Sequence, residues 1–446
     1  MKLLVAGMGK SGVAAARLAM KHGHQVAACD QHLAQDLSAD LAPLLDRGLV
    51  FYGGSEAPGL LDGAEALILS PGVPRSSLLV RAALDRGLPV WGELEWAYRH
   101  CRGSVLAVTG SNGKSTTTSL LGHLLSAHYK DVRTGGNLGE PFCDLVEGAA
   151  ESTWFVMEAS SFQLESLDSF HARVAVLLNI TPDHQDRYER FEDYAEAKSH
   201  VFCNMTAADS AVFSATDPLA EGFGARSAAR HLRFAATGEL ERGAFVRGDE
   251  AVWITPGGEV ESLFALADLP LPGLHNRENA LAACLAARAA GVPREKLAPA
   301  LREFRGLPHR LEKVGVVRGA AVYNDSKATN TDAVLKALTA FDSGVILLLG
   351  GKDKGADWPV LLPQILRRCS LVIAFGAARG GVERAMAGKV PLESFASLRE
   401  ATERALAIAG PGQSVVLSPA CASFDEFKNF EDRGDQFRRW VLEAMA

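Results

Sequence analysis

No Cys-x-x-Cys pair, no block of clustered lysine and arginine and no long uninterrupted apolar run occurs in the 446 residues. Each absence removes a class of protein. The seven cysteines (Cys29, Cys101, Cys143, Cys203, Cys284, Cys369 and Cys421) are odd in number and scattered, so they read as reduced cytosolic thiols rather than a disulfide framework or a zinc site. With a net charge of -7 and no cationic block, nucleic acid is not expected as a partner, because a phosphate backbone needs grouped cations. The opening MKLLVAGMGKSG reaches its glycines after a few apolar residues, short of the roughly 7 to 15 of a signal peptide and the roughly 20 of a membrane span. A cytoplasmic protein without membrane contact is expected. There is no fixed-period repeat and no low-complexity tract.

What is present is ordinary globular material, 48% apolar and 22% charged, in a chain too long for one domain of about 100 to 200 residues. Residues 1–93 alternate strand and helix patterns: a strand at 2–6, a glycine turn, a helix at 13–22, a strand at 25–29 closed by Asp30, and a strand at 64–69 running into SPGVP. A second unit, 94–306, opens with the strand, loop and helix of VLAVTGSNGKSTTTSLLGHLL and continues with strands at 154–157 and 174–178. Short strand-like pieces over 211–266 predict a small β subregion before a helix near Asn276. In 307–446 the runs GVILLLGG, LVIAFG and SVVLSPA alternate with helical stretches. The expected fold is therefore α/β in three domains: an N-terminal Rossmann-like parallel sheet, a central P-loop ATPase domain, and a C-terminal Rossmann-like domain.

The densest chemistry lies in TGSNGKST at 109–116, between an apolar strand and an amphipathic helix. Backbone N–H groups of Gly110, Ser111, Asn112 and Gly113 and the helix start can hold phosphates there. Lys114 would neutralise phosphate charge, and Ser115 and Thr116 would offer hydroxyls to magnesium. Val108 stands where the first glycine of a full P-loop belongs, so the loop is a shortened one. Glu158 ends the strand WFVME, at the edge where open α/β sheets bind ligands, and could hold a metal or orient a water. His184, in NITPDHQDR, follows another strand, with Asp183 beside it as an alternative. Lys198, in FEDYAEAKSHVF, reads by itself as a solvated helix residue. GMGKSG with Asp30 about 20 residues on fits a dinucleotide fingerprint, but any phosphate or nucleotide sugar can use such a turn. NDSKATN at 324–330 and SPACASFDEFKNF at 418–430 are polar clusters suited to carboxylate or ribose recognition, or plain turns.

In order, TGSNGKST, GGNLG, EASSFQLE, NITPDHQDRY, HNRENALAA, LPHRLE, NDSKATN and SPACASFDEFKNF resemble the Mur ligases of bacterial cell-wall synthesis, whose P-loop has this shortened form. The resemblance spans essentially the whole chain. It implies a UDP-sugar domain, a central ATPase domain and a mobile domain that brings the amino acid. The partners it implies are ATP, UDP-N-acetylmuramoyl-L-alanine and D-glutamate, acting on a monomer.

The same resemblance implies roles for individual residues. Gly9, Lys10, Ser11, Asp30, Ser70 and Gly72 would hold the UDP moiety rather than NAD, and Asn137 and Ser160 would meet the same substrate. Lys114 would contact the β and γ phosphates. Ser115 and Glu158 would share one Mg2+, and His184 a second, supported by a carbamate formed on Lys198. Asn276 and Arg310 would meet ATP, Asp325 its ribose, and Lys327 the phosphates. Thr329, Ser423 and Phe430 would frame D-glutamate, with Lys354 on its carboxylate. Two departures stand out: GGKDKGAD leaves Lys352 as an alternative to Lys354, and Phe424 replaces a smaller aliphatic residue. An NAD-dependent oxidoreductase would leave GKST, Glu158 and His184 idle. Another Mur ligase, a folylpolyglutamate synthase and a non-catalytic nucleotide-binding regulator are the other readings.

Overall fold

A computed structural model describes residues 1–37, 39–184, 187–353 and 355–445. The chain forms two compact units, Met1–Leu269 with Glu278–Phe304, and Pro270–Arg277 with Arg305–Ala446.

The first unit carries two sheets. One has five parallel strands in the order Val50–Gly53, Gln25–Asp30, Lys2–Ala6, Ala66–Leu69, Val90–Gly92. The order reverses between Lys2–Ala6 and Ala66–Leu69, and the crevice at such a switch point is where this architecture binds ligands. The turn there is tight: Gly7 has φ +82, and a Cβ on it would fall 2.8 Å from Val73 and 2.9 Å from Ser70. The short strand Val50–Gly53 has no counterpart in the sequence reading.

The other sheet has nine strands, in the order Val260–Ala265, Glu250–Ile254, Gly243–Arg247, Arg230–Ala235, Ser210–Ser214, Val174–Leu177, Ser104–Thr109, Trp154–Glu158, Val132–Gly136. Its middle strands are apolar apart from the end residues Ser104, Thr109 and Glu158, and buried apart from Ser104, as parallel strands with both faces covered are. The expected β subregion is continuous with this sheet, which turns antiparallel only at its last two strand pairs.

The second unit holds a six-stranded sheet, Glu312–Val317, Ala320–Asn324, Ser414–Ala420, Val345–Gly350, Cys369–Phe375, Leu392–Ser394. Four neighbouring pairs are parallel, but the first two strands form an antiparallel hairpin. The sheet is therefore mixed, where a purely parallel one was expected, because a two-residue link leaves no room for a crossover helix. Among the described residues no helix is long and apolar enough to cross a membrane.

Candidate active site

The strand Ser104–Thr109 delivers the loop at 110–113 to the helix Lys114–Ser126. Gly110 (φ +151) and Gly113 (φ +85) adopt backbone conformations that suit glycine, and a Cβ on Gly113 would fall 2.3 Å from Asn279 Oδ1. The loop is pinned from the strand-end segment at 179–181. Asn112 N donates to Asn179 Oδ1 (2.9 Å), Ser111 N to Asn179 O (2.9 Å), and Thr181 N to Ser111 Oγ (2.9 Å). Tyr194 OH lies 2.9 Å from Ser111 Oγ. The N–H groups of Ser111 and Asn112, expected to cradle a phosphate, are thus taken up by Asn179, and an anion here meets the start of the helix Lys114–Ser126 on a loop that is already fixed.

Two ammonium groups share one carbonyl here: Lys114 Nζ and Lys198 Nζ both donate to Gly110 O at 2.9 Å. Lys198, on the helix Phe191–Ser199, is 1% exposed. Burial, and then the charge of Lys114, push its pKa well below the ordinary lysine range, with Asp183 and Glu158 opposing. A solvated helix residue, the default reading of this position, is excluded by that burial. Burial thus disfavours the charged form of an amine set against the phosphate loop.

Glu158 ends its strand directly beside the P-loop strand, Val108 being its register partner. It is 2% exposed. Oε1 accepts from Asn137 Nδ2 at 2.6 Å, whereas Oε2 is buried without a hydrogen-bond partner. His184 sits in the left-handed region (φ 52), its ring edge-on to Phe162 at 4.8 Å and 3.7 Å from Asp183 Oδ2. Ser160 caps the turn Ser161–Leu164 with Gln163 in a reciprocal box. Among the described residues no three His, Cys, Asp or Glu side chains are preassembled around a metal.

In the first sheet, both Asp30 oxygens serve the turn itself, accepting from Met8 N (2.6 Å) and His32 N (2.9 Å). Burial alone would raise the Asp30 carboxyl, but these N–H groups and the His32 ring outweigh it and hold it below the usual range. Ser70 N donates to Ala6 O, and Ser70 is buried against Gly7. Lys10 Nζ reaches across to Gly139 O at 2.7 Å. Gly9 and Lys10 are exposed, and Ser11 and Gly72 edge the same turn region.

In the second unit, Asp325 accepts from Ser418 Oγ (2.8 Å) and Leu311 N (3.1 Å), and burial lifts its carboxyl to about 7. Lys327 Nζ lies 3.7 Å over the Phe430 ring. Arg310 stands between His309 (φ 61) and Leu311 (φ 45), two non-glycine residues in the left-handed region. Such strain concentrates at functional loops. Ser423 is buried, Phe424 is 61% exposed and Thr329 is half-buried. Asn276 Nδ2 donates to Pro272 O. Lys352 N donates to Ala422 O at 2.8 Å, which ties its backbone to the SPACAS turn. Lys354 lies outside the described residues.

Several organising residues escaped the sequence reading. Arg433, fully buried, donates to Ser326 Oγ and O and to the carbonyls of Cys421 and Ala422, joining the NDSKATN and SPACAS turns. Asn179 and Tyr194 fix the P-loop, and Asn279 supports it by accepting from Thr117 Oγ1. Their only sequence signal is proximity to motifs already noted.

A phosphate-type loop met by two lysines from different helices, beside a buried carboxylate with one unsatisfied oxygen, suits a nucleotide phosphate, and the family matches make the chain an ATP-dependent ligase. Residues 1–92 match the Mur ligase MurD-like N-terminal domain, 108–287 the Mur ligase middle domain, and 309–421 the Mur ligase glutamate ligase domain. A UDP-N-acetylmuramoylalanine--D-glutamate ligase of Acidobacterium capsulatum is 42% identical over 442 residues, covering 99% of this chain and 96% of that one. A protein of the same name from Myxococcus xanthus is 41% identical, covering 100% and 98%. The fold is shared with the UDP-N-acetylmuramate-alanine ligase of Thermotoga maritima, at TM-score 0.61 and 18% identity over 100% of both chains. The chain belongs to the Mur ligase family.

Proposed function

We propose that this chain joins D-glutamate to UDP-N-acetylmuramoyl-L-alanine at the expense of ATP, in peptidoglycan precursor synthesis. The observation that carries the reading is the pair of lysines on Gly110 O beside Glu158. Relatives above 40% identity that bear this activity in their names support the substrate. We place its domains at 1–93 for the UDP-sugar, 94–306 for ATP and 307–446 for the amino acid, in a monomer of the cytoplasm.

The substrate carboxylate oxygen attacks the γ-phosphorus in line, ADP leaves, and an acyl phosphate results. The amine nitrogen of D-glutamate then attacks the acyl carbon, and the tetrahedral intermediate expels phosphate to leave the amide. Lys114 screens the charge spread over the γ-phosphate oxygens, while the helix start orients the nucleotide.

The residues fit a divalent cation, since Glu158 keeps one buried oxygen unsatisfied at the strand end beside the loop. Glu158 and Ser115 would hold one Mg2+, and His184 with the Lys198 carbamate a second. Magnesium supplies charge neutralisation on the phosphates and usually keeps only one or two protein carboxylates. The Lys198 amine, whose charged form burial disfavours, would add to carbon dioxide with loss of a proton, which places an anion next to Lys114. Gly9, Lys10, Ser11, Asp30, Ser70, Gly72, Asn137 and Ser160 would hold the nucleotide sugar. Asn276, Arg310, Asp325 and Lys327 would hold ATP, and Thr329, Ser423, Phe424, Phe430 and Lys354 the amino acid.

Phosphate release with ATP, magnesium and UDP-N-acetylmuramoyl-L-alanine is the test, comparing D-glutamate with L-glutamate, L-lysine, meso-diaminopimelate and no amino acid. Release coupled to amide product with D-glutamate alone is expected. Turnover with another acceptor moves the substrate, and no turnover with any sinks the ligase reading.

A further inference from the structure

Residues 136–145 join the first sheet's glycine turn to Glu158. At the Glu158 end, Asn137 N donates to Glu158 O (2.9 Å) and Asn137 Nδ2 to Glu158 Oε1 (2.6 Å). Gly136 N donates to Glu140 O (2.7 Å), and a Cβ on Gly136 would fall 2.4 Å from Glu158 O, so the hairpin lies hard against the strand end. At the other end, Lys10 Nζ donates to Gly139 O (2.7 Å), Glu93 Oε1 accepts from Cys143 N (2.7 Å), and Arg17 pairs with Asp144 (2.7 Å). Lys10 differs from the other two straps. It is the first residue of the helix Lys10–Lys21, next to the turn, and its hold is on the tip of the loop that carries Asn137.

We infer that this segment relays occupancy of the glycine turn to Glu158, with Lys10 as the positioning residue that transmits it. The inference rests on the reading that the turn holds a nucleotide diphosphate. An anion at that helix start competes with Gly139 O for the Lys10 ammonium. Once the strap is released, Asn137 can leave Glu158 Oε1, and both oxygens of the carboxylate then face the nucleotide site. The nucleotide sugar therefore tightens magnesium-nucleotide binding through Glu158, over and above any contact its carboxylate makes at the phosphates, and the coupling is reciprocal.

The test is titration of a fluorescent ADP analogue with magnesium, with and without saturating UDP-N-acetylmuramoyl-L-alanine, whose own binding is followed separately by equilibrium dialysis. In the wild type the nucleotide sugar should tighten ADP binding about tenfold, within the range usual for linked sites. Lys10→Met should bind ADP more tightly than wild type in the absence of nucleotide sugar and lose most of the coupling. Lys10→Arg should restore the coupling, and Arg17→Met, which cuts a strap away from Gly139, should leave it intact. A merely structural role for Lys10 predicts weaker ADP binding, so weaker or unchanged binding in Lys10→Met overturns the relay. Nucleotide sugar that binds without changing ADP affinity overturns the relay alone, whereas nucleotide sugar that does not bind removes the proposed function and the relay with it.

Discussion

Replacing Glu93 by glutamine should stabilise the protein at alkaline pH and not at acid pH. Glu93 opens the helix Glu93–Tyr98 and is 1% exposed. Its Oε1 accepts from Cys143 N, and its Oε2 is buried with no partner. Burial lifts the carboxyl from 4.5 to about 7, against the opposing hydrogen bonds from Cys143 and with Asp144 adding to the rise. The unfolded chain releases this proton near pH 4.5, whereas the folded chain keeps it until about pH 7. Between those values the folded state binds more protons, so stability falls as pH rises through the window. At about 1.4 kcal/mol per pH unit, the ionised carboxylate destabilises the fold by roughly 3 kcal/mol above pH 7. Glutamine keeps the acceptor for Cys143 N and never ionises. Urea unfolding of both proteins at pH 5 and pH 8 isolates the effect, because every other titrating group cancels in the difference. The variant should gain roughly 2.5 kcal/mol on wild type between the two pH values, since some of the effect is already present at pH 5. A gain of the same size at both would refute the reasoning.

Lys198→Ala should abolish turnover while leaving ADP binding measurable, and formate or acetate should restore part of the rate by supplying a carboxylate where the carbamate stood; no rescue would count against the carbamate. His100 has its pKa depressed from 6.5 to about 4 by burial and then by His22 and His24. Its contribution to stability is therefore present above pH 6.5 and lost as pH falls towards 4, by about 1 to 2 kcal/mol after allowing for partial exposure. His100→Gln should flatten that acid limb in thermal melts recorded from pH 4 to pH 7. Arg433→Met should leave the carbonyls of Ser326 and Cys421 short of donors, at a cost of about 3 kcal/mol or more. Limited proteolysis should then cut residues 305–445 well before the first unit.

The central parallel strands were legible because each is a short, continuous apolar run bounded by glycine or polar turns, as in VLAVTG, WFVME and GVILLLGG. Val50–Gly53, Val90–Gly92 and Leu392–Ser394 were not, since three or four residues carry no period to count. The hairpin Glu312–Val317 with Ala320–Asn324 was hidden for another reason: lysine and glutamate interrupt its first strand, and only pairing across the turn makes it a strand. The site shows the same division. Gly110, Gly113 and Lys114 declare themselves by type and spacing. Lys198 and Arg433 lie in stretches such as AEAKSH and FEDRGD, which read as solvated helix, and burial is a property of what packs against a residue rather than of its neighbours in sequence. Family resemblance promoted Lys198; nothing local promoted Arg433.

The antiparallel end of the central sheet has a consequence for solubility. A parallel sheet that simply stopped would leave a row of unpaired amide groups on a flat apolar edge, open to pairing with another chain. Here the last strand, Val260–Ala265, keeps Leu263 and Phe264 inward while Val260 faces water and Glu261 is held by Arg288 at 3.0 Å. A charged, half-solvated border of this kind discourages edge-to-edge aggregation. It also marks the hairpin turn at 255–259 as the place where this unit could lengthen with least disturbance to the phosphate loop.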